Sequence, residues 1–351
     1  MILTKKNILL CSNDIGSTHQ YIYLYKLLKH IYDFKATGSK IALKEYKKNK
    51  IKTLDKKYFE RKHLKKNLVK LNLSFIFLGL SLQTKNFEKK LLNVSKVFKI
   101  KTGVIQDYWG YNGVFNNINS PDYFWFVDDY SIKLSKKKLN LKQKFIIGHF
   151  KYNFHKINLA YKNIRIKNKL LIIGQPIIFP GIKTYLRNTI DLLKDLKSNF
   201  EYIYIPHPSD INNLKYFRKI SNQKNFSSYK VMQINDKLLL ETKLIITSYS
   251  TVGMDFIFLK YLYGRNDGQI FYFTPKLMIN SLRKIIGTAQ IPPVKFRLAE
   301  QFYTKNDLQK GINKILNFDP SFNKNLTNSK IYFAKYLKNY KRLEYQLSKI
   351  I

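Results

Sequence analysis

Three short polar segments stand where apolar runs stop in the second half of the chain. Gly174-Gln175-Pro176 follows Leu170–Ile173, His207-Pro208-Ser209-Asp210 follows the run ending at Ile205, and Ser248-Tyr249-Ser250-Thr251-Val252-Gly253 follows Leu244–Thr247. Ligands of open parallel sheets bind beyond the carboxyl ends of the strands. If these runs are such strands, an amide, an imidazole and a set of hydroxyls share one edge. The last segment also opens a helix, whose free N–H groups and dipole attract an anion. A phosphate there can be held by hydroxyls, backbone N–H groups and the imidazole without a metal. Each segment also has a plainer use. Ser248 or Ser250 can cap the helix, His207-Pro208 can be a turn, and Gly174-Gln175-Pro176 can be a strand exit. Their occurrence in order, in one α/β half, favours the phosphate site.

The elements that must position these residues follow from the hydrophobic pattern. Asn7–Cys11 reads as a first strand with the polar loop Ser12–Thr18 after it, and Tyr21, Leu24, Leu27, Leu28 and Ile31 recur at helical spacing. The Lys-rich stretch Ser39–Lys70 reads as helix and loop. Leu73–Leu80, Val104–Trp109, Tyr123–Val127 and Phe145–Ile147 read as strands, with a helix at Phe87–Val97 and an Asn- and Gly-rich loop at Gly110–Pro121. The pattern restarts at Leu170 and adds strands at Glu201–Ile205, Leu244–Thr247 and Gln269–Phe273, with a helix over Tyr185–Leu196. Ile331–Ile351 reads as one basic amphipathic helix. Alternating βα units occurring twice predict two Rossmann-like α/β domains, residues 1–160 and 161–330, followed by a C-terminal helix over 331–351.

The chain has 351 residues, 45% of them hydrophobic and 15% aromatic, enough to fill two cores. Its apolar runs, the longest at Leu73–Leu82 and Leu170–Ile182, are short or broken by Gly and Pro, so no membrane span is expected. Lys5 and Lys6 precede only Ile8–Cys11 and then polar residues, a strand rather than a signal peptide, which predicts a cytoplasmic protein. The lone Cys11 excludes a disulfide framework and a cysteine zinc site. The formal charge is +42, from 64 basic and 22 acidic residues, but only eight of the basic residues are Arg. Sequence-specific nucleic-acid readers use Arg forks, and these lysines are spread along the chain rather than gathered in one arm. Biased composition accounts for such a balance as well as function does. The functional alternative is attraction to a polyanion: the inner membrane leaflet, a lipid-linked phosphate or an acidic polysaccharide.

The Gly-Gln-Pro, Tyr-Ile-Pro-His-Pro-Ser-Asp and Leu-Ile-Ile-Thr-Ser-Tyr-Ser-Thr-Val-Gly-Met-Asp series resembles the C-terminal half of bacterial transferases with the GT-B fold. Two groups are similar. One is the bacterial sialyltransferases and polysialyltransferases, which pair a His-Pro motif with a later Ser/Thr motif. The other is the CDP-glycerol glycerophosphotransferases, from which this chain departs by carrying Ser248 where an Asp is usual. In the first half, Leu9–Ser17, Val104–Trp109 and Pro121–Asp129 resemble segments of GT-B-like proteins from surface-polysaccharide clusters. The resemblance covers most of residues 7–260; residues 35–70 and 265–351 add almost nothing. It implies two domains facing a cleft, the final helix crossing back onto the first, and no cofactor beyond the nucleotide-activated donor. It further implies that His207 contacts the donor phosphate and helps the nucleotide leave, that Ser248, Ser250 and Thr251 hold that phosphate, and that Gln175 lies near the nucleotide or the acceptor.

Transfer to a hydroxyl needs a base within hydrogen-bond reach, which the resemblance places among the acids of the first domain. Asp14 is the first candidate: it follows strand one and sits beside Gly16, where a chain can approach a ligand closely. It can equally be an N-cap or Asx-turn carboxylate. Asp107, at another strand end, is second, and Asp128-Asp129, which can be only a turn, is third. His19 and His149 are weaker candidates still, and both stay outside the catalytic set. Tyr108, Trp109, Tyr111, Tyr123 and Trp125 suit core packing more than sugar stacking.

The reading is therefore an inverting, metal-independent glycosyltransferase acting on a surface-glycan or lipid-linked acceptor at or near the inner membrane face. A CMP-activated acid sugar and a CDP-polyol are both open as donors. A nucleotide-sugar epimerase-like relative and, last, a nucleic-acid-binding protein are the alternatives.

Overall fold

The computed structural model describes residues 5–351 apart from 60–62, 82–86, 114, 117, 136–138, 140–142, 178, 197, 209, 318–323 and 338–339. Two compact units divide the chain: Met1–His155 with Lys335–Ile351, and Lys156–Ala334.

The first unit contains β1 (Asn7–Ser12), α1 (Ile15–Leu28), β2 (Asp33–Gly38), α2 (Lys40–Lys48), β3 (Lys52–Thr53), α3 (Leu64–Leu71), β4 (Leu73–Leu78), α4 (Phe87–Val97), β5 (Lys101–Ile105), β6 (Tyr123–Phe126), α5 (Asp129–Ser135) and β7 (Gln143–Ile146). The strands are parallel in the order β3-β2-β1-β4-β5-β6-β7, so the winding reverses between β1 and β4. Successive side chains of a strand point to opposite faces. Ile8 and Leu10 accordingly pack in one core with Tyr21 of α1 and Tyr46 of α2. Leu9 and Cys11 join the other core, with Leu68 of α3 and Leu91 of α4. Burial on both faces explains the uninterrupted apolar runs Ile8–Cys11 in β1 and Phe75–Leu78 in β4.

The second unit contains β8 (Lys167–Ile173), α6 (Ile182–Asp195), β9 (Glu201–Ile205), α7 (Ile211–Gln223), β10 (Tyr229–Val231), α8 (Asp236–Glu241), β11 (Thr242–Thr247), α9 (Val252–Leu262), β12 (Gln269–Phe273), α10 (Lys276–Ile286), α11 (Pro292–Lys295), β13 (Glu300–Phe302), α12 (Lys305–Leu316) and most of α13 (Lys324–Tyr336). Its parallel order, β10-β9-β8-β11-β12-β13, reverses between β8 and β11. Leu170, Ile172, Tyr204 and Ile246 pack under Tyr185, Leu186 and Ile190 of α6 and Phe217 of α7. Each such buried side chain is worth about 1.5–3 kcal/mol.

Two elements differ from the sequence reading. The strand expected to run through Trp109 ends at Ile105, because Gln106–Trp109 turn off over the carboxyl edge. The tail expected as one helix is two: α13 ends at Tyr336 and α14 spans Tyr340–Ile350. The returning chain docks in the first unit at Gly148, where a Cβ would fall 1.7 Å from the Tyr336 carbonyl oxygen and where φ is +75°. Leu343 and Leu347 of α14 then join the core that contains Ile8 and Tyr21.

Candidate functional site

In the first unit, the strand ends beside the winding reversal bring two carboxylates together. Asp14 is the N-cap of α1: one oxygen accepts the Ser17 N–H at 2.8 Å and the other the Ser17 hydroxyl at 3.1 Å. The Ser17 hydroxyl also accepts the Leu80 N–H at 3.1 Å, and the Ser12 hydroxyl bonds Thr18 at 2.8 Å and Tyr46 at 2.6 Å. The β1–α1 turn is thereby fixed in place.

Asp107 comes from the loop after β5 and lies against Gly16. A Cβ on Gly16 would stand 2.0 Å from Asp107 Oδ2 and 3.2 Å from Asp14 Oδ1. The two carboxylates therefore meet across a position that only glycine leaves open. Asp107 Oδ1 is buried without a hydrogen-bond partner. Burial, and next the Asp14 charge, push the Asp107 carboxyl up to about 7, with backbone N–H groups of Asp107 and Tyr108 and the Lys151 charge opposing. Burial also raises Asp14, against the donors of Ser17. Both carboxyls are thus raised above the ordinary range by burial, and each is opposed by hydrogen-bond donors, those of Ser17 on Asp14 and backbone N–H groups on Asp107. Gln106 Oε1, Tyr108 Oη and Asn112 Nδ2 in the same loop are likewise buried and unpartnered. Buried polar atoms are ordinarily paired, so four orphans in seven residues mark this loop.

The weaker candidates are built into the scaffold. Asp128 is fully buried, accepts from the Trp109 indole and takes the Ser131 N–H at 2.7 Å. Asp129 meets Lys335 and the Tyr336 hydroxyl, each at 3.3 Å. His149 is buried beside Trp109, and burial lowers it to about 3, so it is neutral at physiological pH. His19 is exposed. Trp109 and Trp125 are completely buried, and Tyr108 and Tyr123 nearly so, the packing role expected of them.

In the second unit, the three segments fall at the carboxyl ends of β9, β8 and β11, which are adjacent strands. Asn213, in the first turn of α7, ties two of them together. Its Nδ2 donates to the Gln175 carbonyl at 2.6 Å, while its Oδ1 accepts the His207 N–H at 3.2 Å and the Tyr204 hydroxyl. Asp210 caps α7 and accepts the Ile177 N–H at 2.7 Å. The third segment joins through Tyr249, whose ring meets Phe179 edge-on at 5.7 Å. Sequence reasoning missed Asn213; its only signal was an Asn three residues after a capping Asp.

The named side chains differ in state. His207 is half-buried, and burial lowers its imidazole, opposed by Asp210. Gln175 is buried. Ser248 is fully buried and its hydroxyl has no partner. Ser250 accepts the Val252 N–H at 3.2 Å from the position before the N-cap, which is Thr251. Thr251 makes no side-chain cap bond and is half-exposed at the start of α9. Ser209 lies outside the described residues. Among the described residues no group of three or more His, Cys, Asp or Glu could hold a metal ion.

Scans against protein-family models and against curated proteins find no match. Solved structures do match. HepE from Anabaena, solved with UDP-glucose, superposes with a TM-score of 0.68 over 98% of this chain and 99% of that one, at 10% identity. A proposed UDP-N-acetylglucosamine 2-epimerase from Listeria monocytogenes gives 0.63 at 9% identity, covering 92% and 91%. A glycosyltransferase from Rickettsia africae gives 0.62 at 10% identity, covering 99% and 98%. At these identities the likeness establishes the fold: two Rossmann-like α/β domains of the GT-B type.

Proposed function

We propose that the chain is a glycosyltransferase that moves a sugar from a nucleotide-activated donor to a hydroxyl of a surface-glycan acceptor, with inversion and without a metal. The observation that carries this is Asp107, a carboxylate from the loop after β5 held against Gly16, with one unpartnered oxygen and an ionisation near neutrality. A general base works best with a pKa near the operating pH. The acceptor oxygen attacks the anomeric carbon and its proton passes to Asp107. The bond from that carbon to the donor phosphate oxygen breaks, and its electron pair leaves with the nucleotide. A single displacement of this kind inverts the anomeric centre. Asp14 acts on Asp107 through its charge and is a positioning residue.

The second unit takes the donor in this scheme. The amino end of α9 with Thr251, and the His207 imidazole, meet the charge that develops on the leaving phosphate. The lowered His207 is neutral near pH 7, so it donates a hydrogen bond rather than a full proton. Ser250 serves by holding the helix start, and Ser248 by its place in the β11 turn. Gln175, on the neighbouring strand end, is placed toward the nucleotide.

The His-Pro and Ser/Thr motifs favour a CMP-linked acid sugar, whereas the structures solved with UDP or UDP-glucose favour a uridine donor. Thermal shift with CMP, CDP and UDP separates them, because only a nucleotide bound to the folded state raises the melting temperature. A rise with none of the three removes the donor assignment. The Listeria likeness keeps an epimerase reading in view. Inversion within the free sugar nucleotide, with no nucleotide released, would favour it.

A further inference from the structure

A groove of about 720 Å³ runs along β7, at the opposite edge of the first unit's sheet from β3. Its lining includes Gln143 and Lys144 of β7, and Arg342, Tyr345, Gln346 and Lys349 of α14. Tyr123, Ile132 and Ile350 also line it, as do Phe145 and Ile146, so it follows β7 along its whole length. Neither Asp14 nor Asp107, which follow β1 and β5, is among its lining residues.

Three features describe its occupant. All the charged lining residues are cations, and neither Lys144, Arg342 nor Lys349 has a carboxylate partner among the described residues. Tyr345 is 60% exposed, with the Lys349 ammonium 4.3 Å from its ring centre, so one face can take a sugar ring beside a charge. The two glutamines supply amides for hydroxyls, and Gln346 is held by the Trp125 indole N–H at 3.0 Å. A guanidinium fork matches the two oxygens of a carboxylate or phosphate. The volume falls in the range of small-ligand sites, about 300–1,000 Å³.

We propose that this groove binds a segment of anionic saccharide, a glycan bearing carboxylates or phosphates, away from the transfer chemistry. The choice of a saccharide rests on the transferase reading; the selectivity for an anion rests on the groove alone. Such a site would hold a charged glycan on the enzyme between additions, and the +42 balance would draw it in.

The test is calorimetric titration of the full chain with trigalacturonate, maltotriose, a thymidine trinucleotide and phosphatidylglycerol vesicles. A groove variant, Lys144→Gln with Arg342→Gln and Lys349→Gln, is compared with a control that removes the same charge from α2, Lys40→Gln with Lys44→Gln and Lys47→Gln. All six residues are exposed, so both variants should fold. Expected is trigalacturonate binding that exceeds maltotriose by about tenfold and falls about tenfold in the groove variant only. Equal losses in both variants would mean diffuse charge and overturn the site. So would a groove-dependent preference for the trinucleotide or the vesicles, or no trigalacturonate binding at all. The readout is binding, so it stands apart from whether the chain transfers sugar.

Discussion

Asp14 and Asp107 are the same side chain in two different states, and the difference lies in what their oxygens touch. Both oxygens of Asp14 accept from Ser17. Asp107 has one oxygen against Gly16 and the other unpartnered. Gly16→Ala forces the Asp107 carboxylate to move, since the new methyl carbon would stand 2.0 Å from its Oδ2. Expected is a loss of activity of about a hundredfold with the nucleotide-induced thermal shift kept; unchanged activity would show that the carboxylate position is immaterial. Asp107 also carries a stability signature. Its carboxyl ionises near 7 in the fold, against 3.8 ordinarily. Between those pH values the folded chain holds a proton that the unfolded chain has lost. The contribution is full below about 4 and is lost as pH rises through about 7. Asp107→Asn should therefore melt higher than the parent at pH 8 and at the same temperature at pH 4. A variant destabilised equally at both would contradict the buried-acid assignment.

At the scale of elements, the strand ends of the second unit are held by Asn213 more than by any residue of the three motifs. Asn213→Ala leaves the Gln175 carbonyl, the His207 N–H and the Tyr204 hydroxyl without that partner. At about 1–3 kcal/mol for a buried unsatisfied group, denaturant unfolding should register a loss on the order of 3 kcal/mol, and nucleotide affinity should fall at least about tenfold. A stable variant with full affinity would mean that the β8 and β9 loops do not depend on this tie. The contrast with the motifs explains what was legible in the sequence. Strands such as β1, β4, β8 and β11 announce themselves because burial on both faces demands unbroken apolar runs. β2, with Asp33 and Lys35 in it, and the short β3, β10 and β13 carry no such run and depend on pairing with a neighbour. The site residues were legible as strand-end positions. Their states were not: the burial of Ser248 and the approach of Asp107 to Gly16 each depend on contacts between residues distant in sequence.

At the scale of the molecule, two parallel sheets, each reversing its winding beside its first strand, define the GT-B type of fold, and the alternating pattern of the sequence carried that information. Lysines such as Lys44 and Lys47 of α2 and Lys65 and Lys66 of α3 are exposed and take no part in the cores. The central claim is that Asp107 removes a proton while a nucleotide leaves its sugar. Its most direct test needs no acceptor, because water can take the acceptor's place. Nucleotide release from UDP-glucose or a CMP-linked acid sugar is followed from pH 5 to 9 in the parent and in Asp107→Asn. Expected is a rate that rises through about pH 7 in the parent and drops at least a hundredfold in the variant, while nucleotide still raises the melting temperature of both. A pH-independent rate, or a variant that releases nucleotide as fast as the parent, would contradict it.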